Sequence, residues 1–269
     1  MWDQEDVEAF SRRKFAWLAG IVAVAAALMA GWYWYSHRAV PAAEPAPTVA
    51  TAPAADAEPQ ISHPIPGEAG EASALPALND SDQLAHDSLA GVVGRDPAEQ
   101  FVIPQNIIRH VVVTVDNLTR KKVAVDLRPV KPTPGATVVA TQGEIITLSP
   151  ENYERYAPFM HIVAGADPKA LAVVYEHLYP LFQQSYEDLG YPGKYFNDRL
   201  VEVIDNLLQT PEVTVPVTLV QPKVFYEYAD PDLEARPAGQ KLLIRMGTAN
   251  ERMIKAKLRE FRAEIAKKK

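Results

Sequence analysis

The sequence predicts a single compact, mainly α-helical domain with a small β element, preceded by a transmembrane helix and a disordered linker. Three observations predict it. An uncharged run of 21 residues lies near the start of the chain. A stretch dominated by proline and alanine follows it. From residue 76 onward, apolar residues recur at i, i+3, i+4 and i+7, the period of helices with one buried face.

Residues 1–14 form a short tail. Residues 15–35, from Phe15 to Tyr35, contain no charge. At about 1.5 Å per residue a helix of that length reaches roughly 31 Å, the thickness of a bilayer's hydrocarbon core. Trp32, Tyr33, Trp34 and Tyr35 suit the far interface. Arg12, Arg13 and Lys14 precede the run, while only Arg38 follows closely. The positive-inside rule then puts the N-terminus in the cytoplasm and everything after residue 36 on the other side of the membrane. The run is too long for a signal peptide's apolar region and ends in bulky aromatics rather than small cleavage-site residues. Ala19, Ala23, Ala27 and Gly31 share one face, a spacing that would let two copies pack closely as a homodimer.

Residues 36–75 carry proline at 41, 45, 47, 53, 59, 64 and 66 with alanine and acids between. Such a segment buries too little apolar surface to offset its ordering entropy. Fully extended, it would reach on the order of 110 Å, holding the domain off the membrane.

The domain, 76–269, begins with a helix capped within Asn79–Asp82 and stopped by Gly94. After Pro104, Ile107, Ile108, Val111, Val112, Val115 and Leu118 have helical spacing. Residues 121–148 read as irregular or β, with Gln142-Gly143 as a turn. Ser149-Pro150 should start one helix from Glu151 to about Val163. Asp167-Pro168 opens a long helix on which Tyr175, Tyr179, Phe182 and Tyr186 make an aromatic stripe, with a kink expected at Pro180. Asn197 is expected to cap the next helix, whose apolar set is Leu200, Val203, Ile204, Leu207 and Leu208. Val213–Val220 alternates like a strand that Pro216 should confine to an edge, and Val224–Tyr228 could pair with it. A last helix from about Asn250 turns Ile254, Leu258, Phe261 and Ile265 inward.

Tyr179-Pro180-Leu181-Phe182-Gln183, Leu189-Gly190-Tyr191-Pro192, Phe196-Asn197-Asp198-Arg199-Leu200 and Val203-Ile204-Asp205 stand in order. Ala229-Asp230-Pro231-Asp232-Leu233-Glu234, Gly239-Gln240-Lys241 and Arg245-Met246-Gly247 follow. This pattern, over about 75–265, resembles the bacterial family called domain of unknown function 3014. The resemblance implies the same order of span, proline-rich linker and soluble domain. It implies no activity, cofactor or catalytic residue.

Charge and composition exclude several classes. Residues 76–247 hold 22 acids against 15 bases, and 248–269 hold three acids against eight bases. A dedicated nucleic-acid binder would be basic over its whole module. The chain has no cysteine, hence no disulfide, thiolate metal site or cysteine nucleophile. No histidine pattern suits zinc, no serine sits in a GxSxG setting, and no glycine loop suits a nucleotide. No cofactor is expected. Asp198, Glu202 and Asp205 form a carboxylate ridge, but three oxygen ligands fall short of calcium's six or more. Glu176 and His177 are adjacent and point apart on a helix, so they do not cooperate.

The candidate binding segment is 191–199, with Tyr195, Asn197, Asp198 and Arg199 gathered at a helix N-terminus that could hold an anion or a sugar. Its bland alternative is a structural turn. Arg252, Lys255, Arg259 and Arg262 could meet a polyanion, or could simply sit on a docked helix. Three functions stay open: a non-catalytic interaction domain for an envelope protein or polymer, a periplasmic enzyme on cell-wall polymer using Glu176, Asp198 or Glu202, and a solute-binding sensor.

Overall fold

The structure, a computed structural model, describes residues 61–65 and 75–267. The tail, the span with its alanine face, and most of the linker lie outside the described residues. Among the described residues no helix is long and apolar enough to cross a membrane.

A 3-10 turn at Leu78–Asp80 leads into α1 (Asp82–Val93), then α2 (Arg95–Phe101) and α3 (Ile107–Leu118). After a 3-10 turn at Val125–Leu127 come β1 (Val139–Gln142) and β2 (Ile145–Leu148). Helices α4 (Pro150–Glu154), α5 (Ala157–Gly165), α6 (Pro168–Asp188) and α7 (Phe196–Leu208) follow. The chain continues through β3 (Thr218–Val220), β4 (Glu227–Tyr228), α8 (Pro231–Glu234), α9 (Ala238–Met246) and α10 (Thr248–Ile265).

Helix α6 is the centre of the bundle and packs against α1, α3, α7 and α10. Asp167 starts it: its carboxylate accepts the Lys169 N–H at 2.9 Å, and Pro168 takes the first position, where no N–H is needed. The expected stripe is inside, with Tyr175, Tyr179, Phe182 and Tyr186 all buried. Its rings meet Phe196 and Tyr191: Phe182 stacks on Phe196 at 5.8 Å and Tyr186 on Tyr191 at 4.6 Å. Helix α6 runs unbroken through Pro180.

The four strands form one antiparallel sheet in the order β1-β2-β3-β4. Leu148, Val217, Leu219 and Tyr228 make its core face, which rests on Ile244 of α9. Two sequence expectations change here. The strand after Pro216 is not an edge: β3 starts at Thr218, beyond the proline, so its amides are available to β2 and β4 on both sides. The helix expected from Glu151 to Val163 is two helices, α4 and α5, joined at Arg155-Tyr156. Pro158 lacks the N–H that would bond back one turn, and it sits instead in the first turn of α5.

Glycine is required where α9 meets its neighbours. A Cβ on Gly239 would lie 2.6 Å from Leu207 and 3.1 Å from the Leu118 carbonyl. Gly247, between α9 and α10, has φ of 86° and rests on the Tyr153 ring, 2.7 Å from where its Cβ would be.

Candidate functional site

The turn between α6 and α7 is built by Gln183. Its side-chain oxygen accepts the Phe196 N–H at 2.8 Å and the Tyr179 hydroxyl at 3.0 Å, and its amide nitrogen donates to the Lys194 carbonyl at 2.8 Å. Gly190 and Gly193 turn the chain with φ of 108° and 71°. Tyr195 is the extended residue before α7.

Asn197 is therefore not the cap. It is the second residue of α7, wholly buried, and its amide faces the interior. Its side-chain oxygen accepts the Tyr175 hydroxyl at 3.1 Å. Its nitrogen donates to the His63 carbonyl at 2.8 Å and to the Ile265 carbonyl at 2.9 Å. Asn197 thus joins a residue read as linker to the end of the last helix.

Residues 61–65 form a strap on this surface. Asp198 accepts the Ser62 N–H at 3.0 Å and the His63 N–H at 2.7 Å, one on each carboxylate oxygen. The Tyr195 hydroxyl accepts the Ile65 N–H at 2.8 Å. Ile65 is buried and belongs to the main core. Sequence reasoning placed all of 36–75 outside the domain because proline and alanine dominate it. An isoleucine beside Pro64 supplies the apolar anchor, and three N–H groups find acceptors 130 residues or more away.

Arg199 turns the other way, toward Asp116 on α3. Its Nε donates to the Asp116 carboxylate at 3.1 Å, and an NH2 group reaches the Asp116 carbonyl and the Thr119 hydroxyl. Arg120 and the Tyr191 hydroxyl donate to the other Asp116 oxygen, and Glu202 pairs with Arg199 at 2.8 Å. Burial alone would lower the Arg199 pKa, but Glu202 and Asp116 outweigh it and raise it. Burial pushes the Tyr179 hydroxyl far above the ordinary tyrosine range, and the neighbouring Tyr175 and Tyr195 add to it. Asp116 was missed from sequence. Its one local signal is Arg120, four residues on.

The carboxylate ridge dissolves into separate pairs. Asp198 holds the strap, Glu202 meets Arg199, and Asp205 meets Arg262 at 2.5 and 2.8 Å. Together with Ser62, His63, Asn206 and Gln209 they line an open groove of about 430 Å³ along α7. All three carboxylates rise from the same helix. Among the described residues no group of three or more His, Asp or Glu is arranged to hold a metal ion.

The basic residues of α10 part company. Lys255 is buried against Glu251 and donates to the Thr210 carbonyl. Arg262 engages Asp205, and Arg252 pairs with Glu212 at 2.6 Å. Hydrogen bonding from Arg252 lowers the Glu212 pKa, with smaller help from Lys255 and Arg259. Arg259 is exposed. Glu176 is half-buried and His177 exposed, on separate faces of α6.

With these contacts in place, a family comparison matches residues 107–262 to protein of unknown function (DUF3014). The chain belongs to this family. The DUF3014 match opens at the first residue of α3 and closes at Arg262. It therefore includes Asp116, Gln183 and 195–199 but leaves out the strap, α1 and α2. No curated protein and no solved structure matches the chain.

Proposed function

We propose that this protein is a single-span inner-membrane protein whose periplasmic domain is a non-catalytic interaction module. The seating of residues 61–65 supports this reading most. The polar groups that sequence singled out at 195–198 engage peptide backbone, and the groove continuing along α7 offers Glu202, Asn206 and Gln209 to a partner protein. Residues 15–35 supply the anchor, and the strap fixes where the tether joins the domain.

The enzyme reading needs two carboxyls facing each other across a cleft, about 5–9.5 Å apart in a glycosidase. Asp198 and Glu202 lie one turn apart on α7, and each already has a partner. Glu176 lies on a different helix, outside the groove.

The test uses the full-length protein in intact cells, with a photo-crosslinking amino acid at Gln209 in one strain and at Arg259 in another. The expected result is capture of one envelope protein from Gln209, with the domain digested by protease added to spheroplasts. A domain protected in spheroplasts would overturn the location. Capture of cell-wall fragments with their cleavage would restore the enzyme.

A further inference from the structure

A partly open hollow reaches into the core of the bundle. Ile108, Tyr175, Leu178 and Phe196, all buried, surround an apolar cavity of about 210 Å³. A cavity with this lining stays dry and takes up apolar ligands.

Leu171 and Phe261 form its wall on the side of a second space of about 400 Å³, for they line both. This outer cleft runs between α5, α9 and α10, over Phe159, Val163, Leu242, Leu243, Ile254 and Leu258. Most of these side chains are only half-buried, and Leu242 is 47% exposed. Phe159, Leu242 and Met246 carry the surface on into a third hollow of about 210 Å³. The three spaces therefore share walls and make one elongated apolar path.

Charge around this path is one-sided. The whole chain has 34 acids and 27 bases. Among the described residues no acid lines any of the three spaces, while Lys257, Lys131 and Arg155 do. Arg155 is held by the Pro134 and Gly135 carbonyls and Asn152. Lys257 stands at the cleft with one N–H on the Ala166 carbonyl at 2.7 Å, and an ammonium has three. From this shape and charge we infer that the cleft binds a single-chain anionic amphiphile, its acidic head at Lys257 and its hydrocarbon tail running between Leu171 and Phe261 into the core.

A partner helix is the rival occupant. A helix with side chains is about 10–12 Å across. It could lie on the outer cleft, but it cannot enter the inner cavity, whose walls are core side chains. One hydrocarbon chain fits both spaces. The site shares no lining residue with the groove along α7.

The test uses membrane vesicles from cells expressing the full chain and a palmitate analogue carrying a diazirine near the end of its tail. Photolysis should place adducts on peptides containing Ile108 or Leu178, which line the inner cavity and not the outer cleft. Palmitate should displace the label at least tenfold better than hexadecanol, which has the same tail and no charge. Lys257→Glu should reduce labelling at least tenfold, and Leu171→Trp should move adducts from the inner cavity to the outer cleft. Adducts elsewhere on the domain, no adducts, or equal competition by hexadecanol would overturn the inference. So would capture of a protein segment by benzoylphenylalanine at Leu242 without fatty-acid adducts. The map on the unaltered chain decides the matter even if a variant misfolds.

Discussion

Glu251 is fully buried near the start of α10, and Lys255, one turn on, reaches back to it at 2.6 Å. The contact is an ion pair by distance without the angle of a hydrogen bond, so the directed bond of Lys255 goes to the Thr210 carbonyl. Removing one partner of a buried pair strands the other, a loss of about 3–5 kcal/mol. Lys255→Met should therefore lower stability by that amount in urea unfolding. The double variant E251L/K255M should recover most of it, because no buried charge is left alone. Asp116 poses the same problem with more partners. Arg199→Ala removes its Nε donor and the bonds to Thr119 and Glu202. A cost of about 1.5–3 kcal/mol is expected for the lost charged hydrogen bonds, since Arg120 and Tyr191 still hold the other carboxylate oxygen. If Arg199→Ala melts at the wild-type temperature, the residue is a surface ligand rather than a structural tie.

Among the elements, those legible in the sequence were long and periodic. Helices α1, α3, α6, α7 and α10 fall within a few residues of their expected bounds, because their apolar stripes repeat over three turns or more. Helices α2, α8 and α9 were missed: at 7, 4 and 9 residues they repeat too few times for a period to register. Leu243 and Ile244 of α9 are buried side by side, which blurs the pattern further. The candidate site was half legible. Tyr195, Asn197 and Asp198 converge on the strap while Arg199 turns away to Asp116, and the partners His63, Ile65, Asp116 and Ile265 lie beyond the reach of any local rule. The strap can be tested as an element. Asp198→Ala leaves the Ser62 and His63 N–H groups without their charged acceptor, worth about 1.5–3 kcal/mol for bonds of that kind. Hydrogen exchange should quicken at residues 62 and 63 by tenfold or more while the amides of α6 keep their protection. Unchanged exchange at 62 and 63 would mean that Ile65 alone holds the strap.

At the scale of the whole molecule, the tyrosine-rich interior ties stability to alkaline pH. Burial raises the Tyr186 pKa to about 12, with the nearby Asp116 carboxylate adding to it, and Tyr179 and Tyr228 are raised further. A raised pKa means that the folded state keeps a proton the unfolded chain gives up near pH 10. That contribution is whole below pH 10 and fades as pH climbs through about 12. Urea midpoints should hold steady to about pH 10 and then fall, and tyrosinate absorbance should rise in step with unfolding. Absorbance that rises fully near pH 10 in the folded protein would show these hydroxyls to be open to water.

Asn197 gives the molecule a mechanical property. The carbonyls it grips belong to His63 and Ile265, so one amide locks both ends of the folded unit together like the clasp of a bracelet. A pull on the chain at residue 61 meets resistance at the strap, at α7 and at the last turn of α10. Stretching the domain between residues 61 and 267 would peel the strap before any helix, leaving the bundle intact.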